Sequence, residues 1–190
     1  MANPPIPNMP GTTQDLGDQF GWRIFRIMAE FVDGFQLIQG LKNTVSFFGS
    51  ARFGEDDYHY KEALDLGKKL GAAGYTIVTG GGPGIMEAGN RGAMEAGAPS
   101  IGLNIQLPKE QSLNAYTTQS QGFHYFFTRK VMLSFAAQAY VFFPGGFGTL
   151  NELTELLMLV QTKKIEPLPI VLVGKDFWRP FMKWIDEHVF

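Results

Sequence analysis

YVFFPGGFGTLNELTELLMLVQ, residues 140–161, contains a complete structural unit. Tyr140 to Phe143 form a short run of apolar residues with no polar alternation, as a strand buried on both faces requires. Pro144-Gly145-Gly146-Phe147-Gly148 then breaks the run, and from Thr149 the apolar residues recur at helical spacing. Strand, glycine turn and helix in immediate succession are the repeating unit of a parallel α/β sheet.

The same unit recurs on both sides of this stretch. TVSFFGSAR (44–52) leads to the amphipathic YHYKEALDLGKKLGAAG (58–74), and YTIVTGGGPG (75–84) runs straight into IMEAGNRGAMEAG (85–97). SIGLNI (100–105) reads as a third strand, followed by a polar loop over 106–122 and a helix over 126–139. LPIVLVG (168–174) is a last strand, and DFWRPFMKWIDEHVF (176–190) a last helix. The expected fold is α/β: a Rossmann-like, doubly wound parallel sheet flanked by helices, with an extra N-terminal helix.

That extra helix lies in DQFGWRIFRIMAEFVDGFQLIQGLK, where Phe20, Ile24, Ile27, Phe31, Phe35 and Ile38 follow three- and four-residue steps. Trp22, Phe25, Met28 and Val32 widen the stripe, so this helix must pack on the main domain or on another subunit. Residues 1–15 read as a flexible arm, 16–42 as the amphipathic helix and 43–190 as a nucleotide-binding domain. The uncapped, apolar end at Phe190 gives the expectation that the natural chain runs further.

Composition narrows the function. The formal charge is −2 with no basic block, which argues against a nucleic-acid partner. Cysteine is absent, which removes disulfides, thiolate metal sites and thiol nucleophiles and agrees with a cytoplasmic setting. No stretch has the apolar length of a membrane span and no signal peptide is evident, so no membrane partner is expected. His59, His124 and His188 show no metal-ligand spacing, and neither a metal nor another cofactor is expected.

Three loops fall at strand C-terminal ends, where open α/β sheets bind ligands: Gly49-Ser50-Ala51-Arg52, Gly80-Gly81-Gly82-Pro83-Gly84 and Pro144–Thr149. Glycine lets backbone N–H groups approach a ligand, and the following helix adds unpaired N–H groups and its dipole. The candidate binding residues are Gly49, Ser50, Gly81, Gly82, Gly84, Met86, Glu87, Gly145, Gly146, Gly148 and Thr149. A P-loop is excluded, because Ile85-Met86 and Thr149-Leu150 stand where Lys-Ser or Lys-Thr is needed. A dinucleotide site would place an acid near the end of the next strand, which reads Leu103-Asn104-Ile105. A mononucleotide remains. Ser50 lacks the G-x-S-x-G setting of a hydrolase nucleophile and suits a hydroxyl donor to phosphate or sugar.

Glu152 follows Thr149 by three residues, the spacing of a capping box. The same position would also hold a carboxylate beside the loop, for acid–base work or for stabilising a cation. Arg129 and Lys130 are adjacent cations on an otherwise apolar helix, and at most one of them need enter the site.

GGGPGIMEAGNRGA (80–93), TRK (128–130), PGGFGTLNE (144–152) and SFFGSAR (46–52) together resemble the LOG family of cytokinin riboside 5′-monophosphate phosphoribohydrolases, over residues 43–189. Members are often labelled lysine decarboxylases, a chemistry requiring a pyridoxal phosphate site with a Schiff-base lysine that nothing here supports. The resemblance implies hydrolysis of the N-glycosidic bond of AMP or a cytokinin riboside monophosphate to free base and ribose 5-phosphate. It implies Arg129 and Glu152 as the catalytic pair, Lys130 and the glycine loops as substrate-binding, and a homo-oligomer. The alternative is a non-catalytic nucleotide or molybdenum-cofactor carrier on the same fold. One departure stands out: typical members carry Met-His-Glu before Arg-Lys, and this chain has Phe126-Phe127-Thr128.

Overall fold

The computed structural model describes residues 13–106 and 113–189. The elements are α1 (Thr13–Gln39), β1 (Thr44–Phe48), α2 (Tyr58–Ala72), β2 (Thr76–Thr79), α3 (Ile85–Glu95), β3 (Ser100–Ile105) and β4 (Gln119–Phe123). The chain continues through α4 (Phe126–Phe135), β5 (Ala139–Phe142), α5 (Phe147–Gln161), β6 (Ile170–Leu172) and α6 (Lys175–His188). Six parallel strands form one sheet in the order β4-β3-β2-β1-β5-β6. The chain therefore starts in the middle, winds outward to β4, and crosses back to lay β5 on the other side of β1. That reversal between β1 and β5 opens a crevice at their carboxyl ends, where doubly wound sheets take ligands.

Each sheet face has its own core. Val45, Phe47 and Ile77 point to one face, against Tyr60 and Ala63 of α2 and Ile85, Ala88 and Ala93 of α3. Phe48, Val78, Leu103 and Phe142 point to the other, against Met132 and Leu133 of α4, Leu153 and Leu156 of α5 and Trp178 of α6. This two-sided burial is why β1 and β2 have no polar alternation. α2 and α3 approach so closely that a side chain on Gly67 would meet the carbonyl oxygen of Gly89.

The polar stretch over 106–122 hides a strand. β4 occupies Gln119–Phe123, pairs with β3 along five residues, and is exposed over its first half. Gln119, Ser120 and Gln121 suit an edge strand, whose outer side faces water, so apolar content gave no signal there.

The expected N-terminal helix is α1, which packs on α4 and β4 through Phe31, Gly34, Leu37 and Ile38. Trp22, Phe25, Met28, Val32 and Phe35 stay exposed on another of its faces. The expected arm over 1–15 lies largely outside the described residues, and so does the chain end at Phe190. Among the described residues no helix is long and apolar enough to cross a membrane.

Candidate active site

The loops after β1, β2 and β5 are bonded to one another, and Ser50 is the link. Its N–H donates to the Pro144 carbonyl at 3.0 Å, and its own carbonyl accepts from Ile85 N–H at 3.1 Å. Glycine is required where the loops touch. A Cβ on Gly84, whose φ is +70°, would run into the Ser50 carbonyl and the Ala51 backbone, and one on Gly145 into Thr149. Gly49 is likewise packed against Ile85. Close approach of loop to loop thus accounts for several glycines that suggested close approach of a ligand.

The Gly80–Gly84 loop is further tied inward. Gly81 N–H donates to Thr79 Oγ1 at 2.9 Å, and the Gly81 and Gly82 carbonyls accept from the backbone and side chain of Asn114. Asn90, fully buried on α3, closes this network through Thr79, Ser100 and Asn114.

A cavity of about 660 Å³ lies at the crevice, a size suited to a small-molecule ligand. Of the candidate residues, Gly49, Ser50, Met86, Arg129, Lys130, Gly146, Gly148, Thr149 and Glu152 line it. Gly81, Gly82, Gly84 and Gly145 are not among its lining residues. Glu87 turns away from it and accepts a hydrogen bond from Tyr60 Oη at 2.9 Å. Sequence reasoning missed the apolar wall, made by Phe48, Ile105, Phe126, Leu133 and Phe147. Phe48 and Ile105 end strands and Phe126 and Phe147 begin helices, which is the signal that could have found them; Leu133, late in α4, carries none. Phe147 is 92% exposed at the mouth.

One end of the cavity presents unpaired backbone donors. Gly146 caps α5, and the first intrahelical bond is Leu150 N–H to Gly146 carbonyl at 3.0 Å. The N–H groups of Phe147, Gly148 and Thr149 are therefore the unpaired, positive end of the helix. Ser50 Oγ accepts from Arg52 N–H at 3.1 Å, which leaves its own proton free to donate.

Because the cap is Gly146, Thr149 lies inside the helix and makes no side-chain cap bond, so Thr149 and Glu152 do not form a capping box. Glu152 is instead 9% exposed and lines the cavity one turn below the donor end. Burial pushes its carboxyl up to about 7, against the opposing pull of Lys130 and Arg129.

Arg129 enters from α4. Its Nε donates to the Leu103 carbonyl at 2.7 Å, and its guanidinium lies over Gly80, where any Cβ would displace it. Burial lowers its pKa from the ordinary value, while Glu152 raises it. Lys130 also lines the cavity, and its ammonium pairs with Glu155. Helix geometry required at most one of the two cations to enter, and both line the cavity. Among the described residues no group of three or more His, Cys, Asp or Glu could hold a metal ion.

Comparison with known proteins gives this geometry its context. A cytokinin riboside 5′-monophosphate phosphoribohydrolase, LOG, of Oryza sativa subsp. japonica is 32% identical over 75% of this chain and 60% of its own length. One from Arabidopsis thaliana is 28% identical over 75% of this chain and 67% of its own length. The chain spans 60–64% of the length of the first rice relatives it matches. Among solved structures, the molybdenum cofactor carrier protein of Chlamydomonas reinhardtii has the same fold. Its TM-score is 0.58 at 24% identity, over 77% of this chain and 86% of that one. The family described as possible lysine decarboxylase matches residues 86–190, more than half of the chain. By that match and by its glycine-loop motifs, the chain belongs to this family, the LOG family.

Proposed function

We propose that the protein hydrolyses the N-glycosidic bond of a purine nucleoside 5′-monophosphate, the purine being adenine or an N6-prenyladenine. Water is consumed, and the products are free base and ribose 5-phosphate. The observation that carries this reading is Glu152, a buried carboxyl with no capping role, which lines the same cavity as the unpaired end of α5 and Arg129.

The roles follow from that arrangement. The 5′-phosphate sits on the N–H groups of Phe147, Gly148 and Thr149 with help from the Ser50 hydroxyl, which anchors the nucleotide away from the breaking bond. As C1′–N breaks, the bonding pair leaves with the base and positive charge develops on the ribose. Ionised Glu152 stabilises that charge as nucleophile or as base for the attacking water. Arg129 holds the nucleotide, and Lys130 and Arg129 together favour the ionised form of Glu152. Phe126 and Phe147 offer apolar faces to the base at the mouth. The test is incubation with AMP and with isopentenyladenosine 5′-monophosphate, followed by chromatography of the free bases. Binding without base release from either would favour a carrier.

The pH profile carries a prediction of its own. A required carboxylate with a folded pKa of about 7 makes kcat/KM rise about tenfold per pH unit below pH 7 and level off above it. The nucleotide's second phosphate ionisation, near 6, bends the curve further at the acid end. A profile flat between pH 6 and 9 would remove Glu152 from the rate-determining step.

The same reading includes self-association. The exposed stripe of Trp22, Phe25, Met28, Val32 and Phe35 continues onto Phe135 of α4, whose ring lies 6.2 Å from that of Phe35. Such a continuous apolar face suits a second copy of the chain. Light scattering is expected to give a mass at least twice the 21.1 kDa of the chain, falling to one chain in Phe25→Glu.

A further inference from the structure

We propose that Glu30, on α1, is a positioning residue for Arg129, so that the N-terminal helix is a working part of the site rather than an appendage. The inference rests on the reading of Arg129 as the cation that meets the nucleotide.

α4 has no side-chain cap from its own segment, its N-cap residue being Tyr125. Glu30 supplies one from 94 or more residues away in the chain. Its Oε1 accepts from His124 N–H at 2.8 Å, and its Oε2 accepts from Thr128 Oγ1 at 2.6 Å and from Tyr125 N–H at 3.4 Å. Glu30 is 7% exposed, so these bonds form where water competes little. A carboxylate at the positive end of a helix is also favoured by the dipole. Two more contacts hold α1 in this register: Arg23 lies 5.6 Å from the Tyr125 ring centroid, and Gly34 leaves room for the Met132 side chain.

Thr128 and Arg129 are neighbours on the first turn of α4. Glu30 grips Thr128 on one side, and on the other Arg129 reaches the Leu103 carbonyl and lies over Gly80. Fixing the turn from α1 therefore fixes the root of the Arg129 side chain.

The test reads Arg129 directly. In the full chain labelled with 15N, the buried Arg129 Nε–H is identified by its loss in Arg129→Lys. Its hydrogen exchange is expected to quicken at least tenfold in Glu30→Ala and in Thr128→Val. The Arg91 Nε–H, bonded to Glu95 one turn on within α3, should be unchanged. Thr128→Val decides the matter if Glu30→Ala does not fold. Equal quickening at Arg91 would mean general loosening and would overturn the proposal, as would unchanged exchange at Arg129. In base release from AMP, Glu30→Ala should lower kcat/KM at least tenfold in the native background and not at all in Arg129→Ala; equal losses in both would overturn it. Should the native protein release no base, the hydrolase reading fails, while the exchange measurement still decides the role of Glu30.

Discussion

Glu152→Gln is expected to lower base release by about 10²–10⁴-fold and, at the same time, to make the protein more stable at pH 8. The two effects have one cause. The carboxyl has a folded pKa of about 7 against an ordinary 4.5, because burial penalises its charged form. Between those values the folded protein binds more protons than the unfolded chain, so stability falls as pH rises through that window and stays lower above it. The full difference corresponds to about 3 kcal/mol. Glutamine has nearly the same shape and never ionises, so its advantage should be absent below about pH 4.5 and complete above about pH 7. Thermal melts of both proteins across that range check the stability effect, and chromatography of the base checks the activity. Turnover retained in Glu152→Gln would remove Glu152 from the chemistry, and parallel melting curves would show that its burial costs nothing.

Gly80→Ala is expected to damage the site and spare the fold. A Cβ there would meet the terminal nitrogen of Arg129 and, at 2.8 Å, the sulfur of Met86, both at the ends of long side chains that can move. The backbone is not in the left-handed region at this residue, so alanine itself is tolerated. Arg129 must then leave its place over the loop and give up its bond to Leu103. A displacement of about 1 Å at such a group costs on the order of a hundredfold, and we expect kcat/KM for AMP to fall by about that factor. The melting temperature should change by no more than about 3 °C. Gly84→Ala is the contrast, since there the new methyl meets fixed backbone at a positive φ and the three-loop junction itself must open. Similar melting losses in the two variants would show that Gly80, too, serves the fold.

The sheet was legible because its inner strands are buried on both faces, and Tyr140–Phe143 shows the unbroken apolar run that such burial demands. β4 escaped because an edge strand can be as polar as a loop. Thr149 and Glu152 have the spacing of a cap, but spacing does not say where a helix begins. The cap of α5 lies three residues earlier, at Gly146, and this moves Thr149 into the helix and Glu152 into the cavity. Glu30 left no trace at all. In sequence it is one acid on an amphipathic helix, and its partners lie 94–98 residues on, a distance over which no local pattern speaks.

The bridge through Ser50 bears on how sites of this kind can diversify. Both backbone groups of one residue join the β5 loop to the start of α3, so a change in length at any of the three loops would undo the other two. The end of the cavity proposed to take the phosphate is therefore held to a single shape. Phe126 and Phe147 carry no such obligation, since their side chains stand mostly in solvent at the mouth of the cavity. On the proposed function, selectivity for a base could then drift there by single substitutions without disturbing the loop junction.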